Sequence, residues 1–213
     1  MQETRICLIR HGETSWNTQR RWQGHENIPL NAHGLLQAQA AGRALAKEKF
    51  AAIYHSDLDR AAKTAQIIAK VSMAPLLPEP QLRERHFGAI QGLTREEAAQ
   101  HYPDFSEHIH SRKASAEPPG QGGESLERFA ARIGAVFGKI ASRHAGQQIL
   151  IVSHGGCMDV MYRIVTGLPL EAPRSFALGN ATLNWVSWRE GQWQLHEWDK
   201  NTHLAGVLDE ISA

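Results

Sequence analysis

The chain has 213 residues, 42% of them hydrophobic and 21% charged, which is ample for one core of ordinary composition. Lys and Arg number 23 and Asp and Glu 22, a formal charge of +1, so no global field points to nucleic acid or an anionic membrane and any positive site must be local. The first five residues, Met1-Gln2-Glu3-Thr4-Arg5, read as neither signal nor transit peptide, and no apolar run nears the ~20 residues of a bilayer span. Two cysteines, Cys7 and Cys157, give no disulfide framework, and the expected location is the cytoplasm.

In chain order, residues 6–9 (Ile-Cys-Leu-Ile) form a continuously apolar run and read as a buried strand. Asn31 is placed to cap an alanine-rich helix reaching about Lys47. Residues 51–54 read as a second strand. Ser56 and Asp59 stand at capping-box spacing before a helix to about Lys70, and Thr94 and Glu97 repeat the signal before a short helix that Tyr102-Pro103 is expected to end. Residues 111–123, with Pro118, Pro119 and three glycines, read as a loop. Leu126, Phe129, Ile133, Phe137 and Ile140 recur at helical spacing.

Residues 149–152 read as a third strand, and residues 157–166 as a helix stopped by Gly167 and Pro169. Residues 183–188 and 193–198 flank Glu190-Gly191, a hairpin signal. Four of the six tryptophans lie there, where packing is the expected role. The alternation predicts an α/β sandwich of three layers with a mostly parallel sheet and an antiparallel edge.

Chemistry concentrates at the ends of the three buried strands. The first junction carries Arg10, His11, Gly12 and, further on, Asn17. The second carries Arg60 in the first turn of its helix. The third carries Ser153, His154, Gly155 and Gly156. Arginine grips an oxyanion through its planar fork, glycine lets the backbone approach, and a helix N-terminus adds N–H donors. Gln23 and Gly24 could border such a site or simply form a turn. A neutral imidazole between arginines is a competent nucleophile toward phosphorus. Glu84 is the best candidate for protonating a leaving oxygen.

LIRHGETSWN (8–17), SDLDRAAKTA (56–65), LRERHFG (82–88), GGES (122–125) and VSHGG (152–156) together resemble the histidine phosphatase superfamily, in its phosphoglycerate-mutase-like branch. The resemblance implies one such domain over residues 1–213 with an α/β/α sandwich. It implies that His11 is the phosphorylated nucleophile and that Arg10, Arg60, Asn17 and His154 bind the phosphoryl group. Glu84 is then the acid/base, and no metal takes part.

Within that family the chain departs from the cofactor-dependent mutase pattern. Only Arg112 and Lys113 precede Pro118-Pro119 where the mutase has adjacent arginines, and Gly156 stands where it has an asparagine. These departures favour a phosphatase acting on a small phosphorylated metabolite. Glu84-Arg85-His86 resembles the mutase and keeps that alternative open, with a bisphosphoglycerate primer needed only in that case. A homodimer is compatible with the sequence.

Three other readings of these residues fit less well. Cys157 and Arg163 have the Cys-x5-Arg spacing of cysteine phosphatases, but the residues between them read as an apolar helix. Cys157 is instead expected near a helix N-terminus with a somewhat acidified thiol. The 12 histidines include no zinc-binding spacing. A non-catalytic phospholigand-binding protein would be expected to have lost His11 or Glu84, and both are present.

Overall fold

A computed structural model describes residues 2–207. Strands β1 (Thr4–Arg10), β2 (Ile53–His55), β3 (Leu76–Pro78), β4 (Gln148–Ser153), β5 (Leu183–Arg189) and β6 (Gln192–Lys200) form one sheet in the order β3-β2-β4-β1-β5-β6. The first four pair in parallel, and the β5–β6 hairpin joins β1 antiparallel. The described helices are α1 (Ser15–Thr18), α2 (Ala32–Ala44), α3 (Asp59–Ser72), α4 (Arg95–His101), α5 (Pro103–His110), α6 (Leu126–Ser142) and α7 (Gly155–Thr166).

The sheet alternates its apolar side chains between two helical layers. Ile6, Leu8, Ile149 and Ile151 pack with Phe129, Ile133 and Phe137 of α6 and Met158 and Met161 of α7. Cys7, Ile9, Leu150 and Val152 face Ala40 and Ala41 of α2 and Ala61, Ala65 and Ile68 of α3. Burial on both faces is why β1 and β4 are continuously apolar. Each large side chain so buried contributes roughly 1.5–3 kcal/mol. This is the expected three-layer α/β sandwich. At the hairpin turn Glu190 and Gly191 both have positive φ, 53° and 84°, the backbone of a type I′ turn.

Several boundaries differ from expectation. The first helix of the alanine-rich segment stops at Ala44 rather than Lys47, because Leu45 at its C-cap turns into the core. Ser56 and Asp59 form no capping box. Leu58 is the N-cap, Ser56 Oγ accepts the Leu58 N–H at 3.3 Å, and the Asp59 N–H donates to distant Asn27 at 2.7 Å. Pro103 ends α4 but also starts α5, where its fixed φ suits a first helical position. The short edge strand β3 and the four-residue α1 gave no periodicity to read. Helix α7 begins at Gly155, two residues earlier than predicted.

Candidate active site

Strands β1 and β4 are neighbours, with Arg10 paired to Ser153. After β1 the chain enters the α2–α3 layer, and after β4 it enters the α6–α7 layer. The crevice between such diverging connections is where open α/β sheets bind ligands. His11 and His154 stand there with ring centroids 5.3 Å apart and planes at 60°. Backbone holds His11 in place. Its N–H donates to Ser153 O at 3.0 Å, and its carbonyl accepts from Asn180 Nδ2 at 2.8 Å.

The His11 ring is oriented by Nδ1, 2.7 Å from Gly12 O. A carbonyl can only accept, so Nδ1 carries the proton and Nε2 keeps the lone pair. Burial, then Arg60 and Arg10, hold the His11 pKa well below the usual imidazole range. His154 is fully buried and its pKa is lowered in the same way, by burial first and then Arg60. Neither of its ring nitrogens has a protein hydrogen-bond partner.

The expected anion-binding groups converge on this point. Arg60, fully buried in the first turn of α3, donates to Glu26 O at 2.7 Å and Gly24 O at 2.8 Å, while its Nε has no partner. Burial lowers its pKa to about 10, so it stays charged at neutral pH. Arg10 Nη1 donates to Leu178 O at 2.6 Å. Asn17 Oδ1 accepts from the Thr14 N–H and hydroxyl, both at 3.0 Å, which leaves the amide N–H groups as donors. Thr14 and Ser125 act as helix caps. A Cβ at Gly155 would lie 3.3 Å from Arg10 Nε, so glycine lets the strand ends close up.

Glu84 reaches the same crevice from the segment after β3. Its Oε1 accepts the Arg85 N–H at 2.8 Å and its Oε2 the Gly156 N–H at 2.9 Å. A Cβ on Gly156 would sit 2.2 Å from Glu84 Oε1, so a side chain there would displace the carboxylate. This gives a physical reason for glycine at that departure from the mutase pattern.

Arg10, His11, Asn17, Gln23, Arg60, Glu84 and Gly155 all line one cavity of about 840 Å³. Its Lys and Arg side chains (Arg10, Arg21, Arg60, Arg85, Arg95, Arg112, Lys113 and Arg174) face only two carboxylates, Glu84 and Asp159. That excess is the local positive site a nearly neutral chain required. Trp22, Phe87, Phe105, Phe129 and Phe176 supply apolar wall. His154 and Gly24 do not line it. Gly24 serves instead through its carbonyl on Arg60.

One expectation is corrected. Cys157 is fully buried with Sγ 3.4 Å from Arg83 O, and burial pushes its thiol pKa up rather than down. Arg163 cannot serve a cysteine phosphatase loop, because it donates to Asp159 at 3.0 Å and to Pro169 O within α7 and its exit. His86, next but one to Glu84, makes its contacts elsewhere. Its Nδ1 accepts the Gly88 N–H at 3.0 Å and its ring packs on His25. The strand tryptophans pack as expected, Trp185 against Phe50 and Trp198 against Tyr162. Among the described residues no group of three or more His, Cys, Asp or Glu could hold a metal ion, and no helix is long and apolar enough to cross a membrane.

Asn180, Arg85, Asp159 and Arg174 join the site without being marked as site residues by the motifs. Arg85 lies inside a motif already read, but the other three sit in segments whose sequence carries no chemical signal.

The chain matches the histidine phosphatase superfamily (branch 1) over residues 6–201. It is 39% identical over 206 residues to a metal-independent phosphoserine phosphatase of Arabidopsis thaliana, covering 96% of this chain and 84% of the relative. It is 33% identical over 219 residues to a probable phosphoglycerate mutase, GpmB, of Photorhabdus laumondii, covering 97% and 98%. Bacillus stearothermophilus YhfR superposes with a TM-score of 0.87 at 30% identity, covering 94% of this chain and 99% of that one. The chain therefore belongs to the histidine phosphatase superfamily.

Proposed function

We propose that this member of the histidine phosphatase superfamily is a metal-independent phosphatase that hydrolyses small phosphorylated metabolites through a phosphohistidine on His11. The observation that carries this reading is the fixed tautomer of His11, with Nδ1–H held by Gly12 O and the opposite nitrogen free to attack beside Arg10 and Arg60. Nε2 bonds to phosphorus while the P–O bond to the alcohol breaks, and protonated Glu84 gives its proton to the leaving oxygen. The ring gains a positive charge, which Gly12 O stabilises by accepting the Nδ1–H hydrogen bond. Arg10, Arg60, Asn17 and His154 meet the charge on the transferring group.

Water then attacks phosphorus, the Glu84 carboxylate takes its proton, and the N–P bond breaks to release phosphate. Imidazole and a protonated Glu84 return. The match over residues 6–201 and the joining of all six strands in one sheet support a single such domain over residues 1–213. Two buried, unbridged cysteines support a cytoplasmic location.

The mutase remains a second reading because GpmB is a relative. Hydrolysis is favoured by the higher identity to a phosphatase and by Gly156, which keeps Glu84 over the crevice. Phosphorus NMR of the protein with 3-phosphoglycerate and a trace of bisphosphoglycerate separates the two. Free phosphate is expected. Conversion to 2-phosphoglycerate without free phosphate would make the chain a mutase.

A further inference from the structure

Glu84 sits on a stretch that no regular structure holds, since residues 83–87 belong to neither helix nor strand. A general acid must nonetheless keep its carboxyl within hydrogen-bond reach of the leaving oxygen, and a shift of about 1 Å can cost on the order of a hundredfold in rate. Arg132 supplies what the backbone ladder does not. It stands on α6, whose apolar face is locked into the core by Phe129, Ile133 and Phe137.

All of its N–H donors are spent on this one segment and its support. Nη1 donates to Gln81 O at 2.7 Å and Arg83 O at 3.0 Å, and Nη2 donates to Glu84 O at 3.2 Å. Nε and Nη2 also grip Glu124 Oε1 and Oε2, each at 2.7 Å. Glu124 in turn accepts the His86 N–H at 3.1 Å, closing the clamp on the far side of Glu84.

We infer that Arg132, fixed by Glu124, is a positioning residue for Glu84, tying the acid-bearing loop to helix α6 so that the carboxyl faces the leaving oxygen. The inference rests on Glu84 being the proton donor proposed above. A guanidinium fork can span three carbonyls and a carboxylate at once, whereas a lysine ammonium is a single point and cannot. Arg132→Lys keeps the charge and tests the fork.

The test compares kcat/KM for an alkyl phosphomonoester, whose alkoxide needs a proton, with p-nitrophenyl phosphate, whose leaving group does not. Arg132→Lys is expected to lower the alkyl value roughly ten- to hundredfold. The p-nitrophenyl value should fall less than about threefold, and inhibition by orthovanadate should stay within about twofold. Glu124→Gln, which keeps one acceptor and the volume, should show the same selective loss in weaker form.

Equal losses on both substrates, or no loss on the alkyl ester, would overturn the clamp. Glu84→Gln is run in parallel. A selective alkyl loss there without one in Arg132→Lys overturns the clamp alone. An equal loss in Glu84→Gln overturns the acid assignment and the clamp with it.

Discussion

At the strand ends, the His11 N–H donates to Ser153 O of β4, its carbonyl accepts from the Asn180 side-chain amide, and the sheet itself fixes the distance to His154. Across the cavity, the wall is held through side chains, by a charge cluster and by arginine bonds to the Leu170 and Pro169 carbonyls. Asp159 of α7 accepts from Arg112 at 2.7 Å, from Arg163 at 3.0 Å and from Arg174 at 3.0 Å, drawing the loop after α5 and the exit of α7 together. The first region places reacting groups through main-chain geometry that a side-chain substitution leaves intact. The second places its residues through a buried charge cluster that fails as a unit. Substitutions at the strand ends should therefore remove chemistry while sparing the fold, and substitutions at the wall should do the reverse.

The largest effect expected is at His11. His11→Ala should lower turnover of p-nitrophenyl phosphate by at least about 10⁴-fold, with circular dichroism and melting unchanged. Residual activity above one per cent would mean that another group attacks. Arg60→Ala should cost about 10²–10³-fold in kcat/KM by removing a charge aimed at the phosphoryl oxygens.

Asp159→Ala inverts the pattern. It leaves the Arg163 side chain, 2% exposed, without its carboxylate. Breaking a buried pair in this way costs about 3–5 kcal/mol, a fall in Tm of roughly 6–20 °C. Calorimetry at equal protein concentration measures it, and an unchanged Tm would show that the wall does not depend on the cluster.

The strand ends were legible from sequence because their signal is local. An apolar run that stops at a histidine sets strand, direction and site together, and the flanking motifs supplied Arg60, Asn17 and Glu84. The wall was not legible. Asp159 lies in an apolar helical stretch, Arg174 in a loop, and Arg112 reads only as a partial match to the mutase's adjacent arginines, with no sign of a carboxylate partner. Their meeting depends on the path of α5, which Pro103 concealed by looking like a stop. Ser56 shows the same limit, since its Oγ accepts the Leu58 N–H while the first-turn N–H of Asp59 is met by Asn27, far off in sequence.

A smaller effect sharpens the account of burial at the strand ends. His11 and His154 have folded pKa values well below 6.5, so the unfolded chain binds more protons as pH falls. Their contribution to stability is fully present above about pH 6.5 and declines below it, by up to about 1.4 kcal/mol per pH unit for each histidine. Denaturant midpoints at pH 7, 6 and 5 should fall, and His154→Gln should flatten the slope. An equal slope in the variant would contradict a neutral His154 in the folded state. The smallest effect is at Cys157. Cys157→Ser should leave kcat/KM within about twofold, and the wild-type thiol should resist alkylation until the protein unfolds.

The central claim is the bond between His11 and phosphorus. Enzyme hydrolysing a phosphomonoester is quenched in alkali, digested and mapped by mass spectrometry. The account predicts an acid-labile, alkali-stable phosphoryl group on the peptide bearing His11, absent from His11→Ala. Phosphate on His154, or an unlabelled His11 peptide in enzyme that is turning over, would contradict it.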